Sequence, residues 1–338
     1  MKVSVCIPTY ERVDYLQQLL KSISEQSYDQ IEICISDDSE SDNVRRLAHS
    51  MELPNLRYMP NSYSRGLWTN LRNALSMATG EIAIIMGDDD KFTDSDSIKA
   101  YVDAAVIYPE AKVFYSNQIQ IDEKNIAQLV HRHFDTTVEF APGLPAIEKL
   151  WYRSVQIAGL ALILNTPNDI STTFPDRPTL YPQMIAVANI LEANSAVGIA
   201  KFACSVRGHQ QQLGALAAQE LRVISSEESM AWEEIFHIIH NMAIEKPSTF
   251  GMIEPKLEKQ ALYNVAGALP YIRINAGNKA LKRVVTGVRQ SSMISKKSWW
   301  FYLLYLGILV APLPFLTIVR KFLKQLQISV KRRLMQVA

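Results

Sequence analysis

Gly80-Glu81-Ile82-Ala83-Ile84-Ile85-Met86-Gly87-Asp88-Asp89-Asp90 is the stretch whose reading decides the fold. The apolar residues after Glu81 read as a fully buried strand, and three consecutive carboxylates stand at its C-terminal edge. Like charges this close repel and raise one another's pKa unless a cation or a hydrogen-bond network holds them. Hard divalent ions such as Mg²⁺ and Mn²⁺ favour carboxylate oxygens and are often shared with substrate phosphates. In open α/β sheets, ligands bind beyond the carboxyl ends of the strands. A polar turn before a helix starting near Asp94 accounts for the same residues without a ligand, so the neighbouring segments have to decide.

Those segments repeat the arrangement. Val3–Ile7 is an apolar strand ending at Pro8, and 13–26 has helical spacing at Leu16, Leu19, Leu20 and Ile23. A second strand, 31–36, ends in Asp37-Asp38-Ser39-Glu40-Ser41-Asp42, a polar turn that caps the following helix. A strand near 56–59 leads through 61–65 to a helix over about 66–78, and 112–115 supplies a further strand. Strands separated by helices of this length imply a parallel or mostly parallel sheet with right-handed crossovers. Beyond Asn117 the pattern loosens into strands at 159–164 and 196–205, a helix at 181–192 and a mainly helical run from Ala217 to about Val288. Three polar loops then meet at one sheet edge: Pro8-Thr9-Tyr10-Glu11-Arg12, Asp37-Asp38-Ser39 and Asp88-Asp89-Asp90. They outline a nucleotide-sized cleft. The first strand is followed by neither GxGxxG nor a P-loop, which leaves a dinucleotide oxidoreductase or an NTPase unsupported. A diphosphate in this cleft would be held by a cation.

The 338 residues suffice for two domains, and their composition is ordinary for a globular protein, 48% hydrophobic and 20% charged. The net charge of +1 hides an asymmetry: 259–338 holds 14 Lys or Arg and no Asp or Glu, leaving 21 basic against 34 acidic residues before it. An acidic body with a wholly basic tail points to an anionic surface as the tail's partner, with no nucleic acid expected. Cys6, Cys34 and Cys204 sit in apolar runs with no paired spacing, as reduced buried thiols do. No secretory leader precedes the strand at Val3, so the N-terminus is expected to stay in the cytosol.

The residues around these loops resemble a family. Val5-Cys6-Ile7-Pro8-Thr9-Tyr10-Glu11-Arg12 and 33–42 look like the N-terminal signatures of family 2 glycosyltransferases with the GT-A fold, as do Asn61-(x)4-Gly66-(x)3-Asn70 and 80–90. The likeness covers about residues 1–120. The stretch 86–92 and Val206-Arg207-Gly208-His209 look most like bacterial O-antigen transferases of the abequosyltransferase kind. The resemblance implies a Rossmann-like mixed α/β sheet followed by a mainly helical region. Together with the pattern further along the chain, it leads to an expected division into a catalytic domain at 1–215 (nucleotide-sugar half 1–120, acceptor half 121–215), a helical region at 216–295 and a membrane-associating tail at 296–338. Carried over by position, Pro8, Thr9, Tyr10 and Glu11 line the base and ribose pocket, and Asp38 contacts the base or ribose with Asp37 supporting its turn. Asp88 reaches the ribose, and Asp89 binds the Mn²⁺ or Mg²⁺ that bridges the diphosphate. His209 is a further metal ligand, its alternative being a surface turn, and Arg207 is a diphosphate contact. Asp90, beside the metal turn, is a candidate catalytic carboxylate.

Three departures qualify the likeness. The usual Asp-x-Asp has Gly87 at its first position. Where a carboxylate base is expected the chain reads Leu180-Tyr181-Pro182-Gln183-Met184, and Gln183 cannot take a proton at neutral pH. Asp176 is its candidate substitute, though loop aspartates more often form turns. The Gln-x-x-Arg-Trp signature of processive synthases is absent, which implies single-sugar addition. His237 and His240 read as packing or solvent-facing, and Trp68 and Trp151 as core.

The stretch 298–319 carries no charge, is broken by Pro312 and Pro314, and is flanked by Lys296-Lys297 and Arg320-Lys321. Basic flanks on both sides argue against a crossing. With Trp299, Trp300, Tyr302 and Tyr305, and a basic amphipathic segment at 322–334, it reads as a monotopic or re-entrant anchor on the cytoplasmic leaflet. The expected function is transfer of one hexose or deoxyhexose from a nucleotide-diphosphate sugar, pyrimidine preferred, to a polyprenyl-linked saccharide in O-antigen or capsule assembly. The alternatives are a non-catalytic nucleotide-sugar-binding or scaffold protein and a nucleotidyltransferase, whose glycine-rich, Arg-containing N-terminal loop is missing.

Overall fold

The computed structural model describes residues 1–62, 66–163, 174–175, 178–207 and 231–318, so Asp176 and His209 lie outside the described residues. The chain divides into two compact units, Met1–Gly208 and His209–Ala338. The first is built on a sheet of ten strands: β1 (Val3–Thr9), β2 (Ile31–Asp37), β3 (Leu56–Pro60), β4 (Ile82–Ile85), β5 (Lys91–Phe92), β6 (Ala111–Ile121), β7 (Ala127–His131), β8 (Val138–Phe140), β9 (Leu160–Ile163) and β10 (Ser195–Arg207). Their order is β3-β2-β1-β4-β9-β6-β10-β5, with β7 on β6 and β8 on β10.

The first four strands are parallel, as strands joined by helices must be. Every residue of β1 and β4 is buried, because helices cover both faces of a parallel sheet. The helix α1 (Val13–Ser24) buries Leu16, Leu19, Leu20 and Ile23, the stripe its spacing predicts. The helices α2 (Asn43–Ser50) and α3 (Gly66–Ser76) follow β2 and β3. Asp42 makes no side-chain cap at the start of α2 and pairs with Arg45 at 3.1 Å, while Ser41 of the same turn accepts from the Asn43 amide at 3.5 Å.

The second half is where the sheet becomes mixed. β9 is antiparallel to both β4 and β6, so β6 again runs with β4, and β10 runs with β6. β6 extends well past the expected 112–115 through Ser116, Asn117 and Gln118, all fully buried. Asn117 makes this possible: its Nδ2 donates to Phe134 O (2.8 Å) and Ala200 O (2.7 Å), and its Oδ1 accepts from the amides of His133 (2.6 Å) and Phe134 (3.0 Å). After α4 (Ser97–Ile107), α5 (Leu144–Leu150) and a 3-10 turn (Trp151–Val155), α6 (Pro182–Leu191) covers this half.

A buried carboxylate fastens β1, β2 and the entry to β4. Glu32 accepts from Lys2 Nζ and Ser4 Oγ, both at 2.6 Å, and from Thr79 N and Thr79 Oγ1 at 2.5 and 2.8 Å. Burial alone would raise its pKa, but these donors overcome that and hold it at about 2.

The second unit is helical: α7 (Ala231–Glu245), α8 (Phe250–Ser291), α9 (Met293–Lys297) and α10 (Trp299–Val310). α8 is two helices in series, broken at Gly277, whose φ of 80° and ψ of −175° glycine adopts most easily. His237 and His240 are exposed on α7. α10 buries Phe301, Tyr305 and Ile308 and stacks Trp300 on Tyr263 of α8 at 5.3 Å. Its other face stays open, with Trp299 74% and Leu303 56% exposed. Among the described residues no helix is long and apolar enough to cross a membrane.

Candidate functional site

The loops after β1, β2 and β4 meet at the carboxyl edge of the sheet, and hydrogen bonds join them into one wall. The Thr9 carbonyl is the common anchor: it accepts from the Asp38 amide and from Asn70 Nδ2, each at 3.0 Å. Asp38 Oδ1 accepts from Asn61 Nδ2 (2.6 Å), and its Oδ2 accepts from the Gly66 amide that opens α3 (2.9 Å). Asp37 accepts from Tyr58 Oη (2.6 Å) and the Ser39 amide (2.8 Å), which fixes the turn beneath Asp38. Glu11 takes the left-handed conformation at φ 56°. Its carboxylate accepts from Ser41 Oγ (2.7 Å) and from the amides of Ser41 (2.8 Å) and Glu40 (2.9 Å), and these bonds lower its pKa. Glu11 thus ties the first loop to the second, while Pro8 and Thr9 form the end of β1 and Tyr10 stands beside them.

Asp88, Asp89 and Asp90 are buried on the turn after β4. Asp88 Oδ2 accepts from Thr9 Oγ1 (2.9 Å) and the Tyr10 amide (3.3 Å). The Arg12 guanidinium bridges the pair, with Nη1 3.1 Å from Asp88 Oδ1 and 2.9 Å from Asp89 Oδ2. Burial pushes Asp88 up to about 6 against the pull of Arg12, and the Asp89 charge adds to the rise. Burial and the same Asp89 charge hold Asp90 well above the usual carboxylate range. Gly87 has a steric reason: a Cβ there would stand 2.7 Å from Asp90 Oδ2 and 3.0 Å from Asp89 Oδ1. A larger residue would displace the carboxylates that the turn presents.

Arg207, at the end of β10, is folded into the underside of this turn. Its amide donates to Asp90 Oδ1 (2.7 Å) and its Nε to the Asp89 carbonyl (3.0 Å). Nη1 reaches the Asp122 carbonyl (2.8 Å), Nη2 reaches Gln18 (3.1 Å) and Asn125 (3.0 Å), and the guanidinium lies 4.6 Å over the Tyr15 ring. The side chain expected at a diphosphate thus braces the acidic turn.

Gln183 is buried on the first turn of α6, donates to the Val155 carbonyl (3.3 Å), and leaves its Oε1 without a partner among the described residues. Trp151 is fully buried and donates to the Met184 carbonyl, whereas Trp68, half-buried, donates to the Pro175 carbonyl. Arg12, bridging the two carboxylates, went unnoticed in the sequence. Its signal was present as the lone positive charge of a loop facing three acids across the sheet edge.

Among the described residues no three His, Cys, Asp or Glu side chains are grouped to hold a metal ion. Two carboxylates do converge on a single cation, the Arg12 guanidinium. A hard divalent ion takes one or two protein carboxylates and completes its shell with water and substrate phosphates, so the oxygens of Asp88 and Asp89 fit such an ion.

Residues 4–164 match the model of glycosyl transferase family 2. Over 93 residues the chain is 32% identical to GalNAc(5)-diNAcBac-PP-undecaprenol beta-1,3-glucosyltransferase of Campylobacter jejuni, covering 27% of this chain and 30% of that protein. Over 96 residues it is 38% identical to abequosyltransferase RfbV of Salmonella typhimurium, covering 27% of this chain and 28% of that protein. The chain thus spans less than a third of the length of these curated relatives. Among solved structures, S. aureus TarS 1–349 in complex with UDP-GlcNAc superposes with a TM-score of 0.58 at 16% identity, covering 91% of this chain and 89% of that one. Mannosyltransferase PcManGT from Pyrobaculum calidifontis, in complex with GDP-Man and Mn²⁺, gives 0.52 at 17% identity over 91% and 86%. At these identities the structures speak for the fold alone, a GT-A sheet with a helical C-terminal region. Residues 4–164 are a glycosyl transferase family 2 domain.

Proposed function

We propose that the protein transfers a single sugar from a nucleotide-diphosphate sugar to a lipid-linked saccharide acceptor, at a membrane surface and with Mn²⁺ or Mg²⁺. The observation that carries this reading is the closed wall of Thr9, Asp38, Arg12, Asp88 and Asp89 at the carboxyl edge of a family 2 domain. The Thr9–Arg12 and Asp37–Ser39 loops hold the nucleoside; Asp89, with His209, would hold the cation, and Asp88, expected at the ribose, shares the Arg12 charge with Asp89. A divalent ion held there would supply positive charge against the charge that grows on the leaving diphosphate. Asp90 and Arg207 keep the turn in shape. Gln183 holds no acid for the acceptor hydroxyl, and Asp176 is the base assigned in its place. The named activities of the Campylobacter and Salmonella relatives support a lipid-linked acceptor and surface-polysaccharide assembly. The basic 259–338 segment and the open face of α10 support a peripheral seat on anionic lipid on the cytoplasmic side.

The test is hydrolysis and transfer by purified protein across a panel of UDP-, CDP- and GDP-sugars, with and without Mn²⁺. Asp89→Asn is expected to lose nearly all transfer while staying folded, since Asp88 still pairs with Arg12. Turnover near that of the parent by Asp89→Asn would refute the cation assignment.

A further inference from the structure

A second polar cluster lies on the same sheet edge, away from the nucleotide loops. Because β9 is antiparallel to β4 and β6, its first residue, Leu160, lies beside Ile85 and Tyr115. The 3-10 turn Trp151–Val155 just before it therefore sits at the carboxyl edge, and this turn carries Arg153. Arg153 Nε donates to the Lys149 carbonyl (3.2 Å), Nη1 contacts His133 Nδ1, and the guanidinium lies 5.6 Å over the Phe134 ring. Among the described residues no carboxylate pairs with it. Burial lowers its pKa, so a partly desolvated cation stands here with no carboxylate paired to it among the described residues.

The groups around it are donors. His133 Nδ1 accepts from Arg153, which puts the ring proton on Nε2. His131 stacks on His133 at 6.1 Å and stands opposite Gln118 in the β6–β7 register. Tyr115 Oη, whose ring is 6.4 Å from that of His133, accepts from Gln118 Nε2 at 2.8 Å and keeps its own proton to donate. The Tyr115 phenol also feels the charges of both Arg153 and Asp90, which places the cluster within electrostatic reach of the acidic turn.

We propose that Arg153, His133 and Tyr115 form a binding site for a phosphate or diphosphate oxyanion, the anionic linkage of the acceptor. Its place in the reaction rests on the proposed function; the anion site itself does not. A planar guanidinium matches a phosphate bidentately, and imidazole and phenol protons can complete the fork. An oxyanion would also supply a counter-charge that none of the described residues gives Arg153. Donor phosphates are the competing occupant, and they differ in needing the Asp38 wall.

The experiment follows the histidine side-chain ¹H–¹⁵N signals of metal-free, full-length protein during titration with inorganic phosphate, geranyl diphosphate and UDP. Saturable shifts of His131 and His133 with phosphate and geranyl diphosphate are expected, the diphosphate binding more tightly. Arg153→Gln should weaken both by about tenfold or more, as loss of a charge-assisted bond does, and Arg153→Lys should recover part of the loss. Asp38→Ala should weaken UDP without altering the geranyl diphosphate titration. No saturable shift in the parent protein would overturn the site, whatever the variants do. Shifts produced by UDP and lost in Asp38→Ala would assign the cluster to the donor instead. Nucleotide-sugar hydrolysis, measured separately, tells a failure of this site from a failure of the proposed function.

Discussion

Arg12 offers the most direct test of the acidic turn. In Arg12→Gln two carboxylates, each 7% exposed, lose the cation that stands 2.9–3.1 Å from both. Removing one partner of a fully buried ion pair costs about 3–5 kcal/mol. Arg12 is 24% exposed, so water replaces part of what is lost, and about 2–3 kcal/mol is the expected penalty. For a unit of the size of Met1–Gly208 each kcal/mol moves the melting temperature by about 2–4 °C, so the variant should melt roughly 5–10 °C below the parent in EDTA. A divalent ion seated on the same oxygens restores the missing charge, and at about 100 times its Kd it returns roughly 2.7 kcal/mol. Scanning calorimetry with EDTA and then with Mn²⁺ should show the gap opening and closing. Equal melting in EDTA would refute the view that the guanidinium holds Asp88 and Asp89 together. A gap that Mn²⁺ leaves untouched would refute the shared cation position.

Three further outcomes are expected. Glu32 has a folded pKa of about 2 against 4.5 in the free residue, so its contribution is complete above pH 4.5 and is lost as pH falls towards 2. Stability should drop by about 2–3 kcal/mol across that window, less than the full shift because Lys2 is 44% exposed, and Glu32→Gln should flatten the profile; an unchanged slope would contradict this. Asp38→Ala should weaken nucleotide binding by about 1–3 kcal/mol and lower the melting temperature, since Asn61 and the start of α3 lose their acceptor; calorimetry should also rank UDP or CDP above GDP. Leu303→Asp with Phe315→Asp, both on exposed positions, should reduce binding to anionic vesicles without moving the melting temperature, and salt should weaken the parent's binding. A parent protein that ignores anionic vesicles would rule out the membrane seat.

The first half of the fold was legible because its chemistry is local. Buried parallel strands are short apolar runs, and 3–7, 31–36 and 82–86 show them plainly. The second half hid its strands for a physical reason. β6 runs through Ser116, Asn117 and Gln118, which hydrogen-bond Tyr101, the Phe134 carbonyl and the Ala158 carbonyl, all distant in sequence, so the apolar signal stops several residues early. β7 and β8 are only partly buried and carry little hydrophobic pattern. At the site, the acidic residues could be read from the chain, but their partners could not. That Arg12 bridges two carboxylates, and that Arg207 turns beneath Asp89, depends on strand register that no local pattern encodes. Asp176 and His209 fall outside the described residues, so their roles stay as proposed.

The Thr9 carbonyl, which gathers the Asp38 amide and Asn70, has a consequence for how such a protein can diversify. A main-chain oxygen is present whatever residue occupies position 9, so that acceptor at the hub of the wall is immune to substitution there. The exposed or half-exposed positions around it, 10, 39 and 40, can therefore vary one at a time without dislodging the hub. Drift at these outward positions leaves the acidic turn registered against β1, to which Thr9 Oγ1 and the Tyr10 amide tie it. The outward surface of the wall is thus free to change faster than the acidic turn behind it.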